Sequence, residues 1–198
     1  MQELSQGYRG PYAKWGKRLA DILLALIASA LLCPILIAIA IVIRILDRGP
    51  GLFVQERIGR QGRPFRLFKF RTMPIGTKSL PSDQLGKLHL TWFPRFLRRS
   101  NLDELPQLFN ILKGDMSIVG PRPSLVAQTE LIVLRNANGA LEIRPGLTGL
   151  AQIRSYSGMP AAEKATLDGH YASRITLIGD IAIIARTFLY LTKPPPVY

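Results

Sequence analysis

Two adjacent carboxylates, Asp103 and Glu104, follow the arginine pair Arg98 and Arg99 and precede Arg122, which is set between Pro121 and Pro123. An ionised aspartate beside a bound phosphate is a candidate nucleophile, and guanidinium groups are the side chains best shaped to hold that phosphate. Pro106 has no backbone N–H and suits a first helical turn, so the sequence predicts a helix beginning near Asp103. Both acids would then lie at the positive helix end, where the helix dipole and the two arginines favour their ionised forms. The flanking prolines limit the backbone at Arg122, so its fork is aimed at a phosphate with little freedom. Lys113-Gly114 closes the helix with a glycine that tolerates positive φ. A plainer reading of the same window is that Ser100, Asn101 and Asp103 are capping residues and Glu104 is a helix-start acid.

Read together, Arg98-Arg99, Asp103-Glu104-Leu105-Pro106-Gln107, Lys113-Gly114-Asp115-Met116-Ser117 and Gly120-Pro121-Arg122-Pro123 resemble the bacterial sugar transferase family, the small monotopic polyprenol-phosphate phosphoglycosyl transferases. The resemblance runs from Lys17 to about Thr192 and includes Phe68-Lys69-Phe70-Arg71-Thr72-Met73 and Arg144-Pro145-Gly146-Leu147-Thr148-Gly149-Leu150-Ala151-Gln152. It implies transfer of a phosphosugar from a UDP-sugar to a membrane polyprenol phosphate, with release of UMP. The family pattern gives the nucleophilic role in a covalent aspartyl intermediate to Asp103, leaves Glu104 to hold magnesium or position phosphate, and gives Arg144, Thr148 and Gln152 to the nucleotide-sugar. It also implies a re-entrant membrane helix on the cytoplasmic face of the bacterial inner membrane.

The chain has 198 residues, enough for one compact domain and a membrane segment, and a formal net charge of +13. That excess calls for an anionic partner. It is uneven: residues 51–100 hold eleven Lys and Arg and two acids, beside a long apolar segment. This placement favours a membrane surface over nucleic acid. The aromatic and basic run from Phe65 to Met73 is compatible with base stacking, but no nucleic-acid module surrounds it, and no nucleic acid is expected. Cys33 is the single cysteine and the two histidines are isolated, which excludes an intrachain disulfide and argues against a zinc site. Magnesium held by one or two carboxylates and by substrate phosphates fits the inventory.

The elements that must position these groups begin with Ile22 to Ile43, 22 residues without a charge. As a helix they extend about 33 Å, enough to cross a bilayer core. Pro34 interrupts the run, and basic residues flank it on both sides, Lys14, Lys17 and Arg18 before it and Arg44, Arg48 and Arg57 after it. The positive-inside rule places both flanks in the cytoplasm, which a helix broken at Pro34 satisfies and a proline-kinked span does not. Cys33 stands where the family often has serine, and Ser29 is the substitute hydroxyl expected to bond a carbonyl freed by Pro34. A boundary falls near Arg48-Gly49-Pro50, giving residues 1–48 as lead-in and kinked re-entrant helix and 49–198 as the catalytic domain.

Residues 52–73 read as a β-hairpin around Gly59 to Gly62, with Lys69 and Arg71 on a basic face that is either solvated or in contact with phosphate. Residues 74–90 are loop-like. Trp92 to Arg99 is an interfacial amphipathic segment with Pro94 at helix position N1. A further helix follows Ser124, glycines 146 and 149 permit close approach to a ligand, and residues 175–192 form an apolar helix in which Asp180 caps the start. The whole is an α+β, mainly helical, membrane-embedded protein with a small cytoplasmic-face domain. A non-catalytic, membrane-bound basic module that binds anionic lipid or nucleic acid is the rival reading, and a homo-oligomer stays open.

Overall fold

The computed structural model describes residues 10–47, 49–73, 91–156 and 158–191. The start of the lead-in, Arg48, the loop at 74–90 and the proline tail lie outside the described residues. The protein is mainly helical. A π-helical turn, Tyr12–Gly16, leads into the long helix α1, Lys17–Asp47. An antiparallel hairpin follows, β1 (Leu52–Ile58) and β2 (Pro64–Phe70), with Leu52 opposite Phe70 and Ile58 opposite Pro64. The expected turn is a 3₁₀ turn at Arg60–Gly62, where Gln61 and Gly62 both take positive φ.

Next come α2 (Trp92–Arg99), a 3₁₀ turn at Leu102–Glu104, α3 (Gln107–Lys113) and β3 (Ser117–Val119). They are followed by α4 (Thr129–Ala137), β4 (Gly146–Thr148), α5 (Leu150–Ile153), α6 (Ala161–Ser173) and α7 (Leu177–Leu191). Strands β3 and β4 pair in parallel through Ser117 with Gly146 and Val119 with Thr148. Pro94 is the third residue of α2, not the first, still within the turn whose N–H groups lack helical partners.

α1 is 31 residues long with Pro34 inside it. It is long and apolar enough to cross a membrane, and only 11% of its most apolar window is buried. Leu23, Leu26, Ile27, Leu31, Ile37, Ile41 and Ile45 are exposed along it. Both halves nevertheless pack on the same domain. Ala25, Ala28 and Leu32 join a core of Leu67, Leu108, Ile111 and Met116, whereas Leu36, Ile39, Ala40 and Ile43 join Phe70, Phe93 and Leu97. Among the described residues Ser29 Oγ has no hydrogen-bond partner. A helical serine reaches back toward carbonyls three or four residues earlier, whereas the carbonyl freed by Pro34 belongs to Ala30, one residue later.

Polar contacts fix the N-terminal end of α1. The buried Asp21 carboxylate accepts the Ile118 N–H at 2.9 Å, and Arg18 donates to the carbonyls of Ile111 and Leu112 at the end of α3. Asp180 is not a simple cap. Its carboxylate accepts the hydroxyls of Tyr12 and Tyr171, each at 2.7 Å, and Lys17 Nζ at 2.8 Å. That knot joins the start of α1, α6 and α7.

Candidate active site

The predicted helix at Asp103 begins later, because an α-helical start there needs an N–H at residue 106 to reach the Leu102 carbonyl, and proline has none. The chain tightens instead: Leu105 N–H bonds Leu102 O at 3.3 Å in a 3₁₀ turn, and α3 opens at Gln107. Asn101, in the left-handed conformation with φ 55°, reverses the chain out of α2 into that turn. Asp103 and Glu104 are therefore buried in a turn ahead of α3.

Asn110 fixes the turn against the hairpin. Fully buried, its side chain accepts Phe68 N–H at 3.0 Å and donates to Arg66 O at 2.7 Å, so one amide serves as the missing neighbour of β2. Lys69, next along that strand, reaches Glu104 Oε1 at 2.7 Å with its side chain only 16% exposed. The solvated basic face is thus excluded: Lys69 is spent on a carboxylate, and Arg71 is buried with its guanidinium against Gly49.

Arg122 completes the cluster. Its Nη2 pairs with Glu104 Oε1 and its Nη1 lies 3.3 Å from Oε2, while about half of the side chain stays exposed. The segment that carries it is held at four successive carbonyls. Gly146 N–H donates to Pro121 O at 2.8 Å, Arg135 Nη1 to Arg122 O at 2.8 Å, Arg57 Nη1 to Pro123 O at 3.1 Å and Ile58 N–H to Ser124 O at 2.9 Å. Arg135 is itself fixed by Asp168, 2.6 Å from Nη2 and 2.8 Å from Nε, in a pair almost fully buried.

The electrostatics separate the two acids. Burial alone would raise Glu104, but the charges of Arg122 and Lys69 outweigh it and hold the carboxyl well below the usual carboxylate range. Burial and the neighbouring Glu104 charge push Asp103 up to about 6, against Lys69, Arg122 and Arg98. The expectation that the surroundings favour ionisation of both acids fails for Asp103, because the nearest cations are committed to its neighbour. Of the two upstream arginines, Arg98 acts on Asp103, whereas Arg99 is exposed at the end of α2.

The second motif is placed differently. A side chain at Gly120, Gly146 or Gly149 would collide with backbone of the opposing segment, so these glycines allow the Arg144–Gln152 stretch to lie against Gly120. The close approach is to the protein's own chain. Arg144 Nε donates to Gly114 O at 2.8 Å, beyond the far end of α3 from the acids. Thr148 shares a 2.6 Å hydrogen bond with Thr187, and Gln152 donates to Leu147 O while its buried Oε1 has no hydrogen-bond partner among the described residues. The motif thus acts on Arg122 through Gly146.

Reading the sequence alone missed Arg57, Asn110, Arg135 and Asp21. Two signals were present: Gln55 and Arg57, two apart on one strand, share a face toward the site, and Asn110 is a lone amide in an apolar helix.

The chain is similar in sequence to several known proteins. A UDP-glucose:undecaprenyl-phosphate glucose-1-phosphate transferase of Caulobacter vibrioides is 38% identical over 180 residues, 86% of this chain and 67% of that protein. A protein of the same name from Xanthomonas campestris pv. campestris is 39% identical over 191 residues, 90% of this chain and 39% of its own length. The exopolysaccharide production protein ExoY of Sinorhizobium fredii is 34% identical over 198 residues, 89% of this chain and 85% of its own. The chain thus spans from about two fifths to most of the length of these relatives. Residues 12–194, which include the acid turn, Lys69 and the Pro-Arg-Pro segment, match the bacterial sugar transferase family, and the chain belongs to it.

Proposed function

We propose that the protein transfers a phosphosugar from a UDP-sugar to polyprenol phosphate at the cytoplasmic face of the bacterial inner membrane. The observation that carries this reading is the division of labour within the acid pair. Glu104 is clamped by Lys69 and Arg122, whereas among the described residues the Asp103 carboxyl makes no hydrogen bond or ion pair, and it is made more basic by its surroundings. An unengaged, desolvated carboxylate next to a half-exposed guanidinium is suited to attack phosphorus. An Asp103 oxygen bonds to the sugar-bearing phosphorus, the bond from that phosphorus to the bridging oxygen breaks, and UMP leaves. A phosphate oxygen of the polyprenol phosphate then attacks the same phosphorus and frees the carboxylate.

Magnesium fits the donors: Asp103 retains open oxygens, and among the described residues no group of three metal-ligating side chains forms a cage. One or two carboxylates with substrate oxygens are what this ion takes, so Asp103 and Glu104 would hold it. When bound it neutralises diphosphate charge. Lys69 and Arg122 orient Glu104, and Arg122 faces the charge that develops on the departing UMP.

The test is UMP release before any lipid acceptor is present. A burst of at most one UMP per enzyme is expected, with the phosphosugar found by mass spectrometry on the peptide containing Asp103. UMP release that strictly requires polyprenol phosphate, with no adduct under any quench, excludes the covalent route.

The re-entrant arrangement of α1 is part of the same reading. It is supported by basic flanks on both sides and by the contact of both helix halves with one domain, which a helix leaving that domain behind would not make. In a Cys33→Ser background, Lys14→Cys and Pro50→Cys should label from the same side of the membrane. Labelling from opposite sides sinks it.

A further inference from the structure

Arg57 reaches from β1 toward the Pro-Arg-Pro segment, and three of its five N–H groups are used on neutral acceptors. Nη1 donates to Pro123 O at 3.1 Å, and Nε and Nη2 both donate to Gln55 Oε1 at 3.0 and 2.6 Å. The guanidinium is thus fixed on two sides, with one N–H left on each terminal nitrogen. Among the described residues no carboxylate lies within ion-pair distance of Arg57; Glu104, whose charge it feels, is engaged by Lys69 and Arg122. Burial and the like charge of Arg122 together lower Arg57 to about 10.

A partly buried cation without a counter-ion, held beside a second guanidinium, is costly to the folded protein alone. Around the acid turn Lys69, Arg57, Arg98 and Arg122 face Asp103 and Glu104, an excess of two positive charges. A sugar-linked diphosphate brings two negative charges. The excess is local, because Lys69 and Arg122 are bonded to Glu104, Arg57 to the segment that carries Arg122, and the charge of Arg98 acts on Asp103.

We propose that Arg57 and Arg122 form a paired-guanidinium subsite for a diphosphate, with Arg57 contacting phosphate oxygens through the N–H groups that Gln55 and Pro123 leave over. Only the identity of the diphosphate, that of a UDP-sugar, rests on the phosphosugar-transfer reading. Arg57 then belongs to the substrate-binding machinery, and Gln55 is its positioning residue. Two planar forks on one diphosphate also restrict its rotation, which presents one phosphorus to Asp103.

The experiment is calorimetric titration of the full chain in detergent with inorganic pyrophosphate at fixed magnesium, with uridine as the phosphate-free probe. Arg57→Gln should weaken pyrophosphate about tenfold to a hundredfold, the scale of a lost charge-assisted hydrogen bond, and leave uridine unchanged. Arg57→Lys should recover part of the loss. Arg60→Gln, an exposed charge on the same hairpin, should change nothing. Pyrophosphate affinity that is the same in Arg57→Gln and the unmodified protein, or unmeasurable in the latter, overturns the subsite. Equal losses for uridine and pyrophosphate with a lowered melting temperature also overturn it, since Arg57 would then only support Pro123. The two readings separate cleanly. Pyrophosphate binding that depends on Arg57 in a protein releasing no UMP from any UDP-sugar keeps the subsite and sinks the transfer, whereas UMP release with Arg57-independent pyrophosphate binding does the reverse.

Discussion

Glu104 and Asp168 are both buried carboxylates paired with arginine, yet their surroundings push them in opposite directions. Glu104 has two cations for one charge, and Arg122 leaves about half of its surface in water. Asp168 has one ion-pair partner among the described residues, Arg135, with Lys164 acting only from farther off, and both side chains are almost fully buried, at 2% and 4% exposure. Burial raises Asp168 against the opposing pull of Arg135, whereas two cations overcome burial at Glu104. The balanced, closed pair holds backbone: Arg135 spends its remaining donors on Arg122 O and Ser124 Oγ. The unbalanced, open cluster has charge left for a ligand. The two centres differ in surplus charge and in having an open side, since burial is common to both.

The comparison breaks first at Asp103. Asp103→Asn should abolish the UMP burst and the adduct, a loss of about a thousandfold or more in turnover, because an amide cannot serve as the nucleophile. Retained burst kinetics would remove the chemistry from this centre. Arg122→Lys keeps the charge and loses the fork, and should lower kcat/KM about tenfold to a hundredfold. A variant with near-normal kinetics would show that charge alone suffices. At the closed centre the same kind of change should act on stability. Arg135→Met should cost about 3–5 kcal/mol by leaving Asp168 buried and unpaired, and the double change Arg135→Met with Asp168→Leu should recover much of it. Turnover in the double variant should stay several-fold low, since Arg122 O still lacks its donor. If activity returned fully with stability, the Arg135–Asp168 pair would have no part in aiming Arg122.

Much of this was legible in the sequence, for identifiable reasons. The apolar run, the hairpin around Gly59 to Gly62 and the glycine that ends α3 are local patterns, and local physics sets them. The start of α3 is not legible from Pro106 alone: proline is tolerated in a first turn, but the consequence of its missing N–H, a 3₁₀ turn, depends on which carbonyl that N–H would have served. Lys69 was legible as a site residue; its alternating pattern with Phe68 and Phe70 suggested an open face, and only the fold brings Glu104 over it. Arg57, Arg135 and Asp21 were missed because each acts on backbone 66, 13 and 97 residues away. No spacing rule reaches such partners. The glycines of the second motif were rightly read as permitting close approach, but the approaching group is Gly120 of the same chain.

The smallest expected effect concerns Arg144, where the family pattern suggests the nucleotide-sugar and the geometry suggests a helix end. Arg144 Nε donates to Gly114 O, beside Arg18, which takes the carbonyls of Ile111 and Leu112. Ile111 O also accepts the Gly114 N–H at 3.1 Å, while Leu112 and Gly114 lie at or past the last turn of α3, so two guanidiniums supplement the cap at its C-terminus. Glu104 lies ten residues back, on the order of 15 Å at the helical rise. Arg144 is partly exposed, so after solvent screening the hydrogen bond contributes about 1 kcal/mol or less. Arg144→Gln should therefore lower the melting temperature by a few degrees and leave the donor KM within about twofold. The opposite pattern, an unchanged melting temperature with a donor KM raised tenfold, would mean that the nucleotide extends along α3 to its far end. The open centre would then be longer than the surplus charge around Glu104 indicates, and Arg18, whose charge acts on Arg144, would become the next residue to test.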